Sequence, residues 1–141
     1  MISNLRLKQV LVAASLGLAL GTASARDEPM WNPERVSVQS QANVTQDGLR
    51  TAIIRGGARR NWTILDEAPG EIKLKQSRNG KHEATVKVAY DATGYQLSYA
   101  DSYNLNVDLG RQRIHPTYNM WLRNLSADIA SEVTLLNLNN K

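Results

Sequence analysis

The chain has 141 residues, with 17 lysines and arginines against 13 acidic residues, a formal net charge of +4, and no cysteine. That composition excludes a disulfide scaffold and any thiolate metal or redox site. At this length one domain with one core is expected.

The first 25 residues read as an address. Arg6 and Lys8 give a basic start, Val10 to Leu20 a short apolar run, and Ala23-Ser24-Ala25 the small-residue pattern that a signal peptidase cuts. We expect a mature start at Arg26 and a periplasmic location. The apolar run is about a dozen residues, whereas a spanning helix takes about 20, so no transmembrane span is expected after processing. Arg6 and Lys8 leave with the leader and no acidic residue does, so the remaining 116 residues carry 15 basic against 13 acidic, or +2. A charge of that size gives no case for nucleic acid, and export argues against it.

Residues 26–43 are polar, include Pro29 and Pro33 and keep no sustained period. They read as an extended or disordered leader with one short strand around Val36 and Val38. Residues 44–141 then form a single domain. Thr45 caps a first helix, Val44 staples against Leu49, and Leu49, Ala52, Ile53 and Gly56 repeat along one face until about Arg60 or Asn61. Gly56 and Gly57 weaken such a helix by about 1 kcal/mol each, and close approach to a sheet is the expected reason.

Strands follow with clear punctuation: Trp62 to Asp66, the Pro69-Gly70 turn, and Glu71 to Ser77. Asn79-Gly80 is a strong hairpin signal, leading into His82 to Tyr90 and then, past a turn at Asp91 to Gly94, into Tyr95, Leu97 and Tyr99. Alternating apolar and polar faces across successive hairpins predict an antiparallel meander of four strands. The chain closes with a long helix: His115 at the cap, Pro116 in the first turn, and Tyr118, Trp121, Leu122, Leu125, Ile129, Val133 and Leu136 as its apolar stripe. Asp128, Glu132, Arg123 and Asn124 fall on its wet face. Two amphipathic helices and one half-apolar sheet bury their faces only against each other, which predicts a two-layer α+β sandwich.

A set of motifs carries a resemblance: Asn61-Trp62-Thr63-Ile64 with Pro69-Gly70, Ala84-Thr85-Val86 with Tyr90, Tyr99-Ala100-Asp101-Ser102-Tyr103-Asn104-Leu105, and Ile114-His115 with Tyr118-Asn119-Met120-Trp121. Over about residues 45 to 138 the chain resembles a functionally uncharacterised family of small proteobacterial envelope proteins, many with lipoprotein leaders. Lipoprotein members carry a lipobox cysteine and this chain has none, so the resemblance implies a soluble periplasmic form and supplies no catalytic residue.

Chemistry, if present, is expected between Asp101 and His115. Asp101, Ser102 and Asn104 leave a strand and His115, Tyr118 and Asn119 open the last helix, so their polar groups converge as a candidate binding site. The same residues permit a small hydrolase built on Ser102, His115 and Asp101, which needs the hydroxyl within hydrogen-bond reach of the imidazole. Against it, no nucleophile elbow or oxyanion turn accompanies Ser102, and short polar side chains commonly bond to nearby backbone. His82 and His115 are the two histidines, neither at metal-ligand spacing, so neither a metal nor a cofactor is expected. Arg55, Arg59 and Arg60, with Lys73, Lys75, Arg78 and Lys81, are candidates for a basic surface facing anionic head groups or envelope polymers. The expected function is a non-catalytic binding or accessory protein of the envelope, its partner an unidentified protein or polymer. A third class, an inhibitor or immunity-type protein, would show an exposed apolar patch in place of a pocket.

Overall fold

A computed structural model describes residues 27–139. The expected leader and its cut site after Ala25 lie outside the described residues. The elements in order are β1 (Glu28–Pro29), β2 (Val36–Ser37), α1 (Gln46–Ala58), β3 (Thr63–Ala68), β4 (Glu71–Arg78), β5 (His82–Asp91), β6 (Gly94–Tyr103), β7 (Arg113–Ile114) and α2 (Pro116–Asn139). The fold is an α+β sandwich in which the sheet has five strands where four were expected. The order is β2-β6-β5-β4-β3, and every neighbouring pair is antiparallel. The fifth strand is β2, at the Val36 position where a short strand was expected, and it pairs Val36 with Tyr95.

The segment before α1 is extended and fastened at two places. β1 pairs with β7 as a separate two-stranded ladder, and Val38 donates its N–H to the carbonyl of Thr93 at 2.9 Å. Met30 and Val38 are buried in the core, so the packed unit starts well before residue 44. Ladder hydrogen bonds and two buried apolar side chains offset the ordering entropy that a polar, proline-containing stretch would otherwise keep.

Thr45 caps α1 as its type requires, its hydroxyl accepting the Gly48 N–H at 3.0 Å. The helix ends at Ala58, and Asn61 turns the chain with φ +63. Its two glycines have different neighbours. A Cβ on Gly57 would meet Leu74 of the sheet at 3.1 Å, as expected, but one on Gly56 would meet the backbone of Ile129 in α2 at 2.8 Å. The close approach at Gly56 is therefore helix on helix. Asn79 and Gly80 both have positive φ, as the tight hairpin between β4 and β5 demands.

Ile72, Leu74, Ala84, Val86, Val88, Tyr95 and Leu97 face the helices and are buried, together with Leu49 and Ile53 of α1 and Tyr118, Trp121, Leu122, Leu125, Ile129 and Val133 of α2. Asp128, expected on the wet face of α2, is buried instead, where it accepts from Arg60 at 2.9 Å. Two bulges interrupt the sheet. Leu65 is extra in edge strand β3, which disrupts a pairing edge. Ala100 is extra in β6, so Tyr99 and Ser102, three residues apart, fall on the same helix-facing side. No helix among the described residues is long and apolar enough to cross a membrane.

Candidate functional site

The structure brings the polar residues of 101–119 close together and engages most of them internally. The Asp101 carboxylate accepts the Ser102 N–H at 2.8 Å, and the Ser102 hydroxyl lies 2.9 Å from the Tyr99 hydroxyl, a pairing the Ala100 bulge creates. Asn104 sits at φ +56, a region its short side chain tolerates. Its amide donates to the Lys81 carbonyl at 2.9 Å, and its own carbonyl accepts His82 Nδ1–H at 2.9 Å. His115 caps α2, with Nδ1 accepting the Thr117 N–H at 3.1 Å. Its ring stacks on His82 at 6.2 Å between centroids.

Asn119 is 1% exposed and saturated. Its carbonyl oxygen accepts the Trp31 N–H at 2.8 Å, and its amide donates to the Pro29 carbonyl at 2.8 Å and to Glu28 at 2.6 Å. Tyr118 packs edge-on against Tyr99 at 5.7 Å, and burial pushes its phenol well above the ordinary value. The Tyr118 hydroxyl has no hydrogen-bond partner among the described residues; it is enclosed and lines neither of the two cavities described below. No hydrogen bond joins Ser102 to His115, and the imidazole nitrogen that would serve a base is already an acceptor for backbone. These six residues do not assemble a nucleophile, base and acid. They tie β6, the following loop, α2 and the segment before β2 into one body.

The basic residues do not form one surface. Ile72 and Leu74 point to the helices, so Lys73 and Lys75 stand on the opposite face of the sheet from α1 and its Arg55, Arg59 and Arg60. Arg59 pairs with Glu132 at 2.9 Å, Arg60 with Asp128 at 2.9 Å, and Lys75 with Glu83 at 2.8 Å. Lys75 is the first cause that holds the Glu83 carboxyl below its ordinary range. Among the described residues no group of three or more histidines and carboxylates is placed to hold a metal ion.

Open space lies at the other end of the sheet. A cavity of about 370 Å³ is bounded by the first turn of α1, through Gln46, Asp47 and Arg50, by Glu67 and Ala68 of β3, and by Pro69 of the turn after it. A second, of about 160 Å³, is bounded by Arg35, Ala89, Asp91 and Gln96. Gly70 and Tyr90 line both, but the first, a groove over Tyr90, opens on the helix side of the sheet, and the second on the opposite face with Ala89 and Gln96. The Tyr90 N–H donates to the Gly70 carbonyl at 2.9 Å, which locks the turn to the strand.

Each cavity holds an ion pair. Arg50 grips Glu67 through Nε and Nη2, and this hydrogen bonding, followed by the charge of Glu67, holds the guanidinium above its ordinary value. The same bond holds the Glu67 carboxyl below its own. In the second cavity the Asp91 carboxylate accepts the Thr93 hydroxyl and N–H, each at 2.7 Å, and Arg35 Nη2 at 2.7 Å. Thr93 first and Arg35 second pull its pKa from 3.8 to about 2. Tyr90 is only 9% exposed, and its hydroxyl makes no hydrogen bond among the described residues.

Sequence reasoning missed this groove. Pro69-Gly70 was legible only as a turn, Tyr90 only as an inward strand residue, and no spacing rule joins Arg50 to Glu67 or Arg35 to Asp91. The chain matches no family model, no curated protein and no solved structure in comparisons with known proteins.

Proposed function

We propose that this protein is a non-catalytic binding or accessory protein of the bacterial cell envelope that works in the periplasm after removal of residues 1–25. The observation that carries the binding reading is the contrast in polar engagement: the groups at 101–119 hold the fold together, while Tyr90 and its neighbours keep free hydrogen-bonding capacity beside open space. The envelope placement rests on the basic, apolar and small-residue sequence of the first 25 residues and on the family resemblance. Expression of the full chain in a bacterium, followed by fractionation and terminal sequencing, tests the placement. Arg26 as the first residue in the periplasmic fraction is the expected result, and intact Met1 in the cytoplasm would sink it. Immobilised mature chain should retain a periplasmic component, and hydrolysis of model esters or amides that vanishes with Ser102→Ala would overturn the non-catalytic reading.

One observation favours a second reading, a protein that binds a partner protein as inhibitors do. Tyr103 and Leu109 are 62% and 54% exposed, with Val107 exposed between them, on a single stretch leaving β6. Partner retention abolished by Leu109→Asp and untouched by Tyr90→Phe would select it over the groove.

A further inference from the structure

We propose that the groove over Gly70 and Tyr90 binds a neutral, polyhydroxylated ligand, the chemistry of a glycan end or short oligosaccharide; this rests on the binding-protein reading above. The size comes first. The groove, about 370 Å³, lies at the lower end of small-molecule sites, which run from about 300 to 1,000 Å³.

Charge decides the class. Arg50 and Glu67 neutralise each other within the groove. A phosphate or carboxylate would have to compete with Glu67 for Arg50, and an amine with Arg50 for Glu67. Asp47 adds one negative charge, offset in part by the positive end of the α1 dipole beside it. The groove therefore favours neither ion.

Hydrogen-bonding capacity remains in both directions. A guanidinium has five N–H groups and a carboxylate about four acceptor positions. Arg50 uses Nε and Nη2 on Glu67, which leaves further N–H groups, and Glu67 keeps lone pairs. The Tyr90 hydroxyl and the Gln46 amide carry no hydrogen bond among the described residues. Donors and acceptors thus alternate along a wall of little net charge. A vicinal diol offers a donor and an acceptor on every hydroxyl and has no charge to neutralise. Ala68 and Pro69 supply apolar surface for the C–H face of such a ring.

The test is an amide-resolved NMR titration of the mature chain with maltotriose, chitotriose and cellobiose as neutral probes, and inorganic phosphate and spermidine as charged ones, each up to about 20 mM, the range of weak small-ligand binding. At least one neutral probe should move the amides of Gln46, Gly70 and Asp91 with a Kd of about 0.1 to 10 mM. Tyr90→Phe should weaken that binding by about tenfold, the effect of one directed hydrogen bond, with an unchanged melting curve. Gln46→Ala, on the exposed first turn of α1, should weaken it in the same direction, and Lys87→Ala on the opposite sheet face should not. Silence from all three neutral probes, tighter binding of phosphate or spermidine, or shifts indifferent to Tyr90→Phe would each overturn the proposal. A retained envelope component alongside silent sugars would sink this inference alone. Intact Met1 alongside sugar binding would sink the periplasmic reading alone.

Discussion

The stretch from Asp101 to Asn119 and the groove over Tyr90 are both rich in side chains that chemistry uses. In the first, Ser102 meets Tyr99, His115 meets the Thr117 N–H, and Asn119 meets Trp31, Pro29 and Glu28. In the second, pairs such as Arg50 with Glu67 form at the surface and leave capacity over, and Tyr90, though packed in the core, hydrogen-bonds only through its backbone. Residue type alone would rank the first region higher as a site, because it has the serine, the histidine and the acid. What separates the two is whether each donor and acceptor already has a partner within the fold.

The comparison can be broken by stability measurements. Asn119→Ala should have the largest effect, about 2 to 4 kcal/mol, because it strands the part-buried Trp31 N–H and removes three bonds to the first segment. Chemical denaturation measures it, and limited proteolysis near Met30 should accelerate in parallel. A loss below about 1 kcal/mol would mean that the first segment is not held as described. His115→Ala removes a helix cap and should cost about 0.5 to 2 kcal/mol. Ser102→Ala removes one hydroxyl pair and should cost about 0.5 to 1.5 kcal/mol. Tyr90→Phe should stay within about 0.5 kcal/mol of the parent, since its hydroxyl makes no bond to lose. Equal losses for Ser102→Ala and Tyr90→Phe would erase the contrast.

The smallest effect is a sharpening by pH. The folded state holds the Asp91 carboxyl at about 2 against an ordinary 3.8, so it favours the ionised form. The resulting stability is present above the ordinary value and disappears as pH falls through the folded one. The Thr93 and Gly94 amides, which donate to Asp91 at 2.7 and 3.1 Å, should titrate in NMR with a midpoint near 2. A midpoint at the ordinary 3.8 would show the turn to be open in solution.

Much of the fold was legible because local rules and packing agree. Thr45 caps, Asn79-Gly80 turns, and the Ile72, Leu74, Val86 and Val88 alternation names the buried face. The misses have physical causes. Residues 28–38 look unstructured because their partners, β7, α2 and β6, are distant in sequence. Asp128 looks wet because its partner Arg60 lies 68 residues earlier, in the turn just past α1. The Ala100 bulge shifts the register by one residue, and no alternation rule anticipates the Tyr99 and Ser102 contact it makes. The groove needs three elements at once, so each of its residues reads as ordinary surface until they are assembled.

The clamp on the first segment also sets an order of events. Asn119 reaches back 88 to 91 positions along the chain to Trp31, Pro29 and Glu28, and Arg113 reaches back 86 to Asp27. Ribosomes deliver the chain from its start, so Glu28 emerges long before the residue that fixes it. Contacts of such separation form late, because the loop between them must close first. The opening stretch of this protein therefore stays loose until almost the whole chain has been delivered, and docking of Asn119 marks the moment when the body is complete.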